Sequence, residues 1–208
     1  MAFMAGCDAG EPAGAPAAPR AGLVGAIGGA GAAAGAAEPS IHPEAWVAPG
    51  AVVVGRVTLG RAASVWYGSV LRADEDEIVV GAWCNIQDQC CLHVDAGEPA
   101  ILEDRVSLGH RAVVHGAYVE TGALIGIGAV VLGRSRVGAG SLVAAGAVVT
   151  PGTRIPEGVL VAGVPARIRR ELTAADRESF AATPERYAAS ARLHRAVTWL
   201  PHGGAPSA

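Results

Sequence analysis

Large aromatic side chains are scarce in this sequence: Phe, Trp and Tyr together make up 4% of 208 residues. A core with so few rings points to thin, regular layers of aliphatic residues. An excess of positive charge is also lacking. The 16 Lys and Arg residues stand against 19 Asp and Glu, a net charge of −3. No basic stripe offers a footprint for nucleic acid, so none is expected as a partner. No apolar run approaches the roughly 18 residues of a membrane-spanning helix, and no membrane role is expected.

Cysteine is sparse as well. Cys7, Cys84, Cys90 and Cys91 match neither a zinc knuckle nor a CxxC redox pair, and a secreted disulfide framework needs more of them in a shorter chain. Small buried thiols in a reducing, cytoplasmic compartment are expected. Residues 1–39, mostly Ala, Gly and Pro with few charges, show no periodicity and are expected to form a disordered extension.

What the chain does have is a beat. Ile41, Val47, Val53, Leu59, Val65 and Leu71 are spaced six apart. After a gap of nine come Val80, Ile86 and Leu92, and after a gap of ten Leu102, Leu108 and Val114. A five-residue step then leads to Val119, and the beat of six runs on to Val161. A small residue usually sits two positions before the aliphatic one, as at Ala63, Ser69, Cys84, Cys90 and Ala112. A period of six in short β-prone pieces is the signature of an all-β fold, a parallel β-helix of hexapeptide repeats. Each hexapeptide forms one side of a triangular coil, the aliphatic residue fills the prism and the small residue fits the corner. Residues 40–170 supply about seven coils, about 33 Å in all at the spacing of paired strands.

Residues 18 apart stack on adjacent coils. The gaps of nine and ten add three and four residues, read as corner bulges at Ala73–Glu77 and Asp95–Ala100. Arg72, His93 and His115 then occupy the same outward position on three successive coils. Two imidazoles stacked about 4.8 Å apart can share one metal ion, whose bonds to histidine nitrogen are about 2.0–2.1 Å. His110 falls on the preceding side, over Asp88 and beside Gln87, facing away from the other two. Its bond is expected to reach the site of a neighbouring chain, and prisms meeting around a three-fold axis would form three such sites.

SVLRAD (69–74), NIQD (85–88), LH (92–93), LGH (108–110) and VVHG (113–116) together resemble the gamma-class carbonic anhydrase family, over about residues 41–170. The resemblance implies a left-handed β-helix and a homotrimer. It implies zinc, with iron(II) or cobalt(II) as alternatives, held by His93 and His115 of one chain and His110 of the next. It further implies an interface network of Arg72, Asp74, Asp88 and Asn85, with Gln87 beside the metal-bound water. Three neutral histidines leave the metal an open position for water and lower its pKa to about 7, a value for which carbonic anhydrase is itself the reference case. The hydroxide so formed would hydrate carbon dioxide to bicarbonate, and Glu75 occupies the position of the family's proposed proton shuttle. The chain departs from active members in two places. The acidic loop after His93 is short, and the 155–165 segment offers no clear match to a tyrosine and an asparagine near the metal.

Two other classes fit the repeat. A hexapeptide-repeat acyltransferase acting on acyl-CoA shares the prism and the VAGVPA ending but needs one histidine, not two in stack register. A metal-binding assembly module without catalysis needs the histidines alone. Past the prism, residues 171–200 are expected to be helical. Thr173 with Asp176 makes a capping box, and a second helix starts at Thr183 with Pro184 as its first residue. Phe180, Tyr187, Ala191 and His194 give a partly apolar face, expected to pack along the prism or on a neighbouring chain. Residues 201–208 read as a tail.

Overall fold

The computed structural model describes residues 37–197. Parallel strands stack coil upon coil in three columns. One column runs through Trp46–Val47, Ser64–Val65, Asn85–Ile86, Ser107–Leu108, Leu124–Ile125 and Leu142–Val143 to Val159–Ala162. A second holds Cys91–His93, Val113–His115, Val130–Val131 and Val148–Val149, and a third holds Ala100–Leu102, Tyr118–Val119, Arg136–Val137 and Arg154–Ile155. Two long strands, Val52–Leu59 and Val70–Val80, turn a corner and belong to both the second and third columns.

Register follows the sequence spacing. Trp46 pairs with Ser64, Ser64 with Asn85 and Asn85 with Ser107, so both longer coils return to phase. The first expected bulge differs in form. The strand Val70–Val80 continues through it, and Asp74–Glu77 project opposite the single residue Arg56, between the pairs Gly55–Ala73 and Val57–Ile78. Gly55 sits there at φ +83°, and an added Cβ would lie 2.1 Å from the Ala73 carbonyl oxygen. Only glycine lets the two coils approach this closely.

The aliphatic beat fills the prism. Leu71, Ile86, Leu92, Leu108, Val114 and Ile125 are all fully buried, each worth about 1.5–3 kcal/mol relative to exposure. Corner positions take Ala63, Ser69, Cys84, Cys90 and Ala112, also buried. Corner backbones bond from coil to coil. Gln89 and Arg111 adopt φ +61° and donate their N–H groups to the Tyr67 and Asp88 carbonyls, both at 2.9 Å. Those hydrogen bonds hold a conformation that a side chain otherwise resists, and they fix the corner from which His110 projects.

Beyond the antiparallel strand Arg167–Glu171 come two helices, α1 (Ala174–Ala181) and α2 (Thr183–His194). Both halves of the capping box are present: the Thr173 hydroxyl accepts from the Asp176 N–H, and the Asp176 carboxylate accepts from the Thr173 N–H. Pro184 takes the second position of α2, because Thr183 is already helical. Helix α2 lies on the first column, where Ala191 and Tyr187 meet Trp46 and Trp66. The Tyr67 hydroxyl lies 2.8 Å from Nδ1 of His194. Among the described residues, no helix is long and apolar enough to cross a membrane. Residues 1–36 and 198–208, and with them Cys7, most of the expected extension and the tail, lie outside the described residues.

Candidate metal centre

The centre begins with three strands of the second column. Arg72 pairs with His93 and His93 with His115, so the three side chains leave the prism one above another. Burial of Leu71, Leu92 and Val114 one residue earlier orients them outward, because successive strand residues point to opposite faces. The two imidazoles are half-buried and tilted by 59°, with Nδ1 of His93 3.0 Å from Nε2 of His115. The other nitrogen of His93, Nε2, lies 2.9 Å from Oδ1 of Asp74, and Arg72 grips the same carboxylate through Oδ2. Desolvation pushes the Asp74 pKa up, but hydrogen bonds from His93 and Arg72, aided by the Arg72 charge, outweigh it and hold the carboxyl below its usual range. An ionised Asp74 accepts the Nε2 proton of His93 and leaves Nδ1 with a free lone pair facing His115. Metal-ligating histidines are commonly held by a carboxylate in this way.

His110 stands at the preceding corner, with Nδ1 2.9 Å from Oδ2 of Asp88. Here too a carboxylate occupies one ring nitrogen and leaves the other, Nε2, available. Gln87 and Asn85 are buried on that side in a ladder: Gln87 donates to the Asn85 side-chain oxygen at 3.0 Å, and Asn85 donates to Ser107 Oγ at 2.7 Å. Glu75, exposed, accepts the Ala96 N–H at 3.3 Å and so ties the two bulges together. The sequence-selected residues therefore fall into two groups on adjacent columns, Arg72, Asp74, His93 and His115 on one, Asn85, Gln87, Asp88 and His110 on the other.

One residue near the histidines carries no role in the sequence analysis. Asp95 Oδ1 lies 3.7 Å from Nε2 of His115, and donor atoms of His93, Asp95 and His115 all fall within 4.8 Å of one another. The His-x-Asp spacing of residues 93–95 is the signal that points to it, since extended residues two apart share a face. A second difference concerns Cys91. It is exposed rather than buried, because it faces outward where Cys90 faces the corner.

Known proteins complete the picture. No protein-family model matches the chain. A probable carbonic anhydrase of Methanocaldococcus jannaschii is 48% identical over 141 residues, 68% of this chain and 89% of that protein. The carbonic anhydrase of Geobacillus kaustophilus is 41% identical over 159 residues, 76% of this chain and 87% of that one. The chain belongs to the gamma-class carbonic anhydrase-like family. Mitochondrial gamma carbonic anhydrase 1 of Arabidopsis thaliana is 42% identical over 78% of this chain and 62% of its own. Among solved structures, a putative acetyltransferase of Bacillus cereus superposes with a TM-score of 0.76 at 34% identity, covering 77% of this chain and 94% of that one. A hexapeptide transferase family protein of Anaplasma phagocytophilum gives 0.72 at 35%, over 74% and 92%. The fold is thus the left-handed parallel β-helix of the hexapeptide-repeat proteins.

Proposed function

We propose that the chain is a metal-dependent carbonic anhydrase of the gamma type, catalysing the reversible hydration of carbon dioxide to bicarbonate in a homotrimer. The observation that carries this reading is the stacked pair, two ring nitrogens 3.0 Å apart with the far side of one ring held by Asp74. That donor set suits a divalent ion of the zinc class, which takes imidazole nitrogens. His93 and His115 of one chain and His110 of the next would hold it. When bound, such an ion supplies Lewis acidity that lowers the pKa of a water in its open position.

The chain's own residues do the rest. Asp74 and Arg72 fix the tautomer of His93, and Asp88 fixes that of His110. Gln87, anchored by Asn85, orients the water that adds to the carbon of carbon dioxide. Glu75, exposed beside the site, accepts the proton released in each turnover and passes it to buffer.

A stopped-flow hydration assay tests this on protein loaded with zinc, iron(II) or cobalt(II). A rate well above that of the metal-free protein is expected, and His93→Ala or His115→Ala should lose both the metal and the rate. Stoichiometric metal without any rate above background would reduce the chain to a metal-binding module. The two transferase neighbours favour a second reading, acyl transfer from acyl-CoA, with one histidine as base. Metal-independent acetyl-CoA turnover that survives His93→Ala would decide for it.

A further inference from the structure

We propose that Asp95 is a further ligand of the same ion, so that a single chain carries a His93–His115–Asp95 tripod, the neighbour's His110 adds a fourth donor, and the water position of the metal reading stays open as a fifth. The inference rests on the metal reading above and adds a residue which that reading leaves without a role. Two donors bonded to one ion at about 2.0–2.2 Å can lie at most about 4.2 Å apart. The His93–His115 and His115–Asp95 separations, 3.0 and 3.7 Å, already meet that limit. All three donors fall within 4.8 Å of one another, so a small side-chain rotation brings the set together.

The loop that carries Asp95 is pinned. Asp95 and Glu98 form an antiparallel bridge, the Glu98 N–H donating to the Asp95 carbonyl at 2.9 Å. Gly97 turns this tight loop at φ +78°. Its two inner N–H groups are taken by the other bulge, Ala96 by Glu75 and Gly97 by Asp76 at 3.0 Å. Arg56 faces Asp76 at 3.6 Å from the coil below, and Arg134 faces Glu98 at 3.4 Å from two coils above. A carboxylate on a loop held at this many points is placed beside His115 before any ion arrives. Preorganisation of this kind is what a ligand position requires. A mere ion pair with a protonated His115 would need only proximity.

Cobalt titration of the metal-free full-length protein separates the alternatives, because visible d–d bands report both occupancy and ligand set. His110→Ala is expected to take up one Co2+ per chain more weakly than wild type, through His93, His115 and Asp95. Adding Asp95→Asn should weaken that binding by at least the roughly 10- to 100-fold that loss of an outer partner costs. Asp95→Asn in the otherwise intact chain should shift the cobalt spectrum. Circular dichroism checks folding, and if the double variant fails to fold, the single-variant spectrum decides. Equal Co2+ affinity with and without Asp95, or an unchanged spectrum, overturns the proposal. So does a wild type that binds while His110→Ala does not, which leaves the three-histidine site standing. A wild type that binds no cobalt overturns both.

Discussion

Cys84 and Cys90 show how far single residues can be read from the spacing. Both fall on the small-residue beat, and both are buried at corners, where burial pushes each thiol up to about 12. A thiol so raised is almost wholly protonated near neutral pH, and the thiolate is the reactive form. Iodoacetamide at about pH 8 should therefore leave Cys84 and Cys90 unmodified in the folded protein and modify them on denaturation, as read by peptide mass mapping. Alkylation of either without unfolding would contradict their corner placement. The same alternation of faces explains Cys91, which follows a corner residue and so points out. Asp95 was harder to see. Its His-x-Asp spacing was legible, but its approach to His115 depends on a loop held by Glu75 and Asp76 from another coil, contacts no local pattern records.

At the scale of elements, local chemistry and the apolar face of α2 were legible, but the seat it takes on the prism was not. Thr173 and Asp176 announce α1 by a spacing of three, and both halves of the capping box form. The hydrogen bond from Arg170, then those from Thr173, hold Asp176 far below its ordinary value of 3.8. A carboxylate depressed in the folded state adds stability that is complete above the unfolded pKa and is lost as pH falls below it. The stability advantage of wild type over Asp176→Asn should therefore be constant from about pH 6 down to about 4, and shrink below that, as read from thermal melts. An advantage unchanged at about pH 2 would mean the carboxylate is not the capping species. Thr173→Ala removes the other half of the cap and should cost about 1 kcal/mol of helix stability. The seat of α2 has no such local signature. Tyr67 and His194 are 127 residues apart, and Trp46 and Trp66 look like ordinary strand residues until the helix covers them. Pro184 entered the helix one position later than its usual place because Thr183, with its side chain accepting from Arg186, starts the first turn.

For the whole molecule, the coil count and register were legible because one period governs some 120 residues, and a single slip would turn every buried Val and Leu outward. Handedness was not, since the beat is the same for either hand and strand-crossover rules favour the other one; it came from kinship. The meeting of prisms has no period at all, but it can be tested. If His110 serves the neighbour's site, trimers mixing His110→Ala chains with His93→Ala chains contain one complete site each. It forms where the intact His93–His115 pair of a His110→Ala chain meets the intact His110 of a His93→Ala chain. If all three histidines of a site came from one chain, no site in such a trimer would be complete. Each variant alone should lose its zinc to a strong chelator, His110→Ala included, because the tripod left to it binds more weakly than the full set. Co-assembly should restore up to one chelator-resistant zinc per mixed trimer. Mixed trimers confirmed by native mass spectrometry but without resistant zinc would place the site within one chain. The outcome does not depend on turnover, so the partition of ligands between chains stands or falls on metal retention alone.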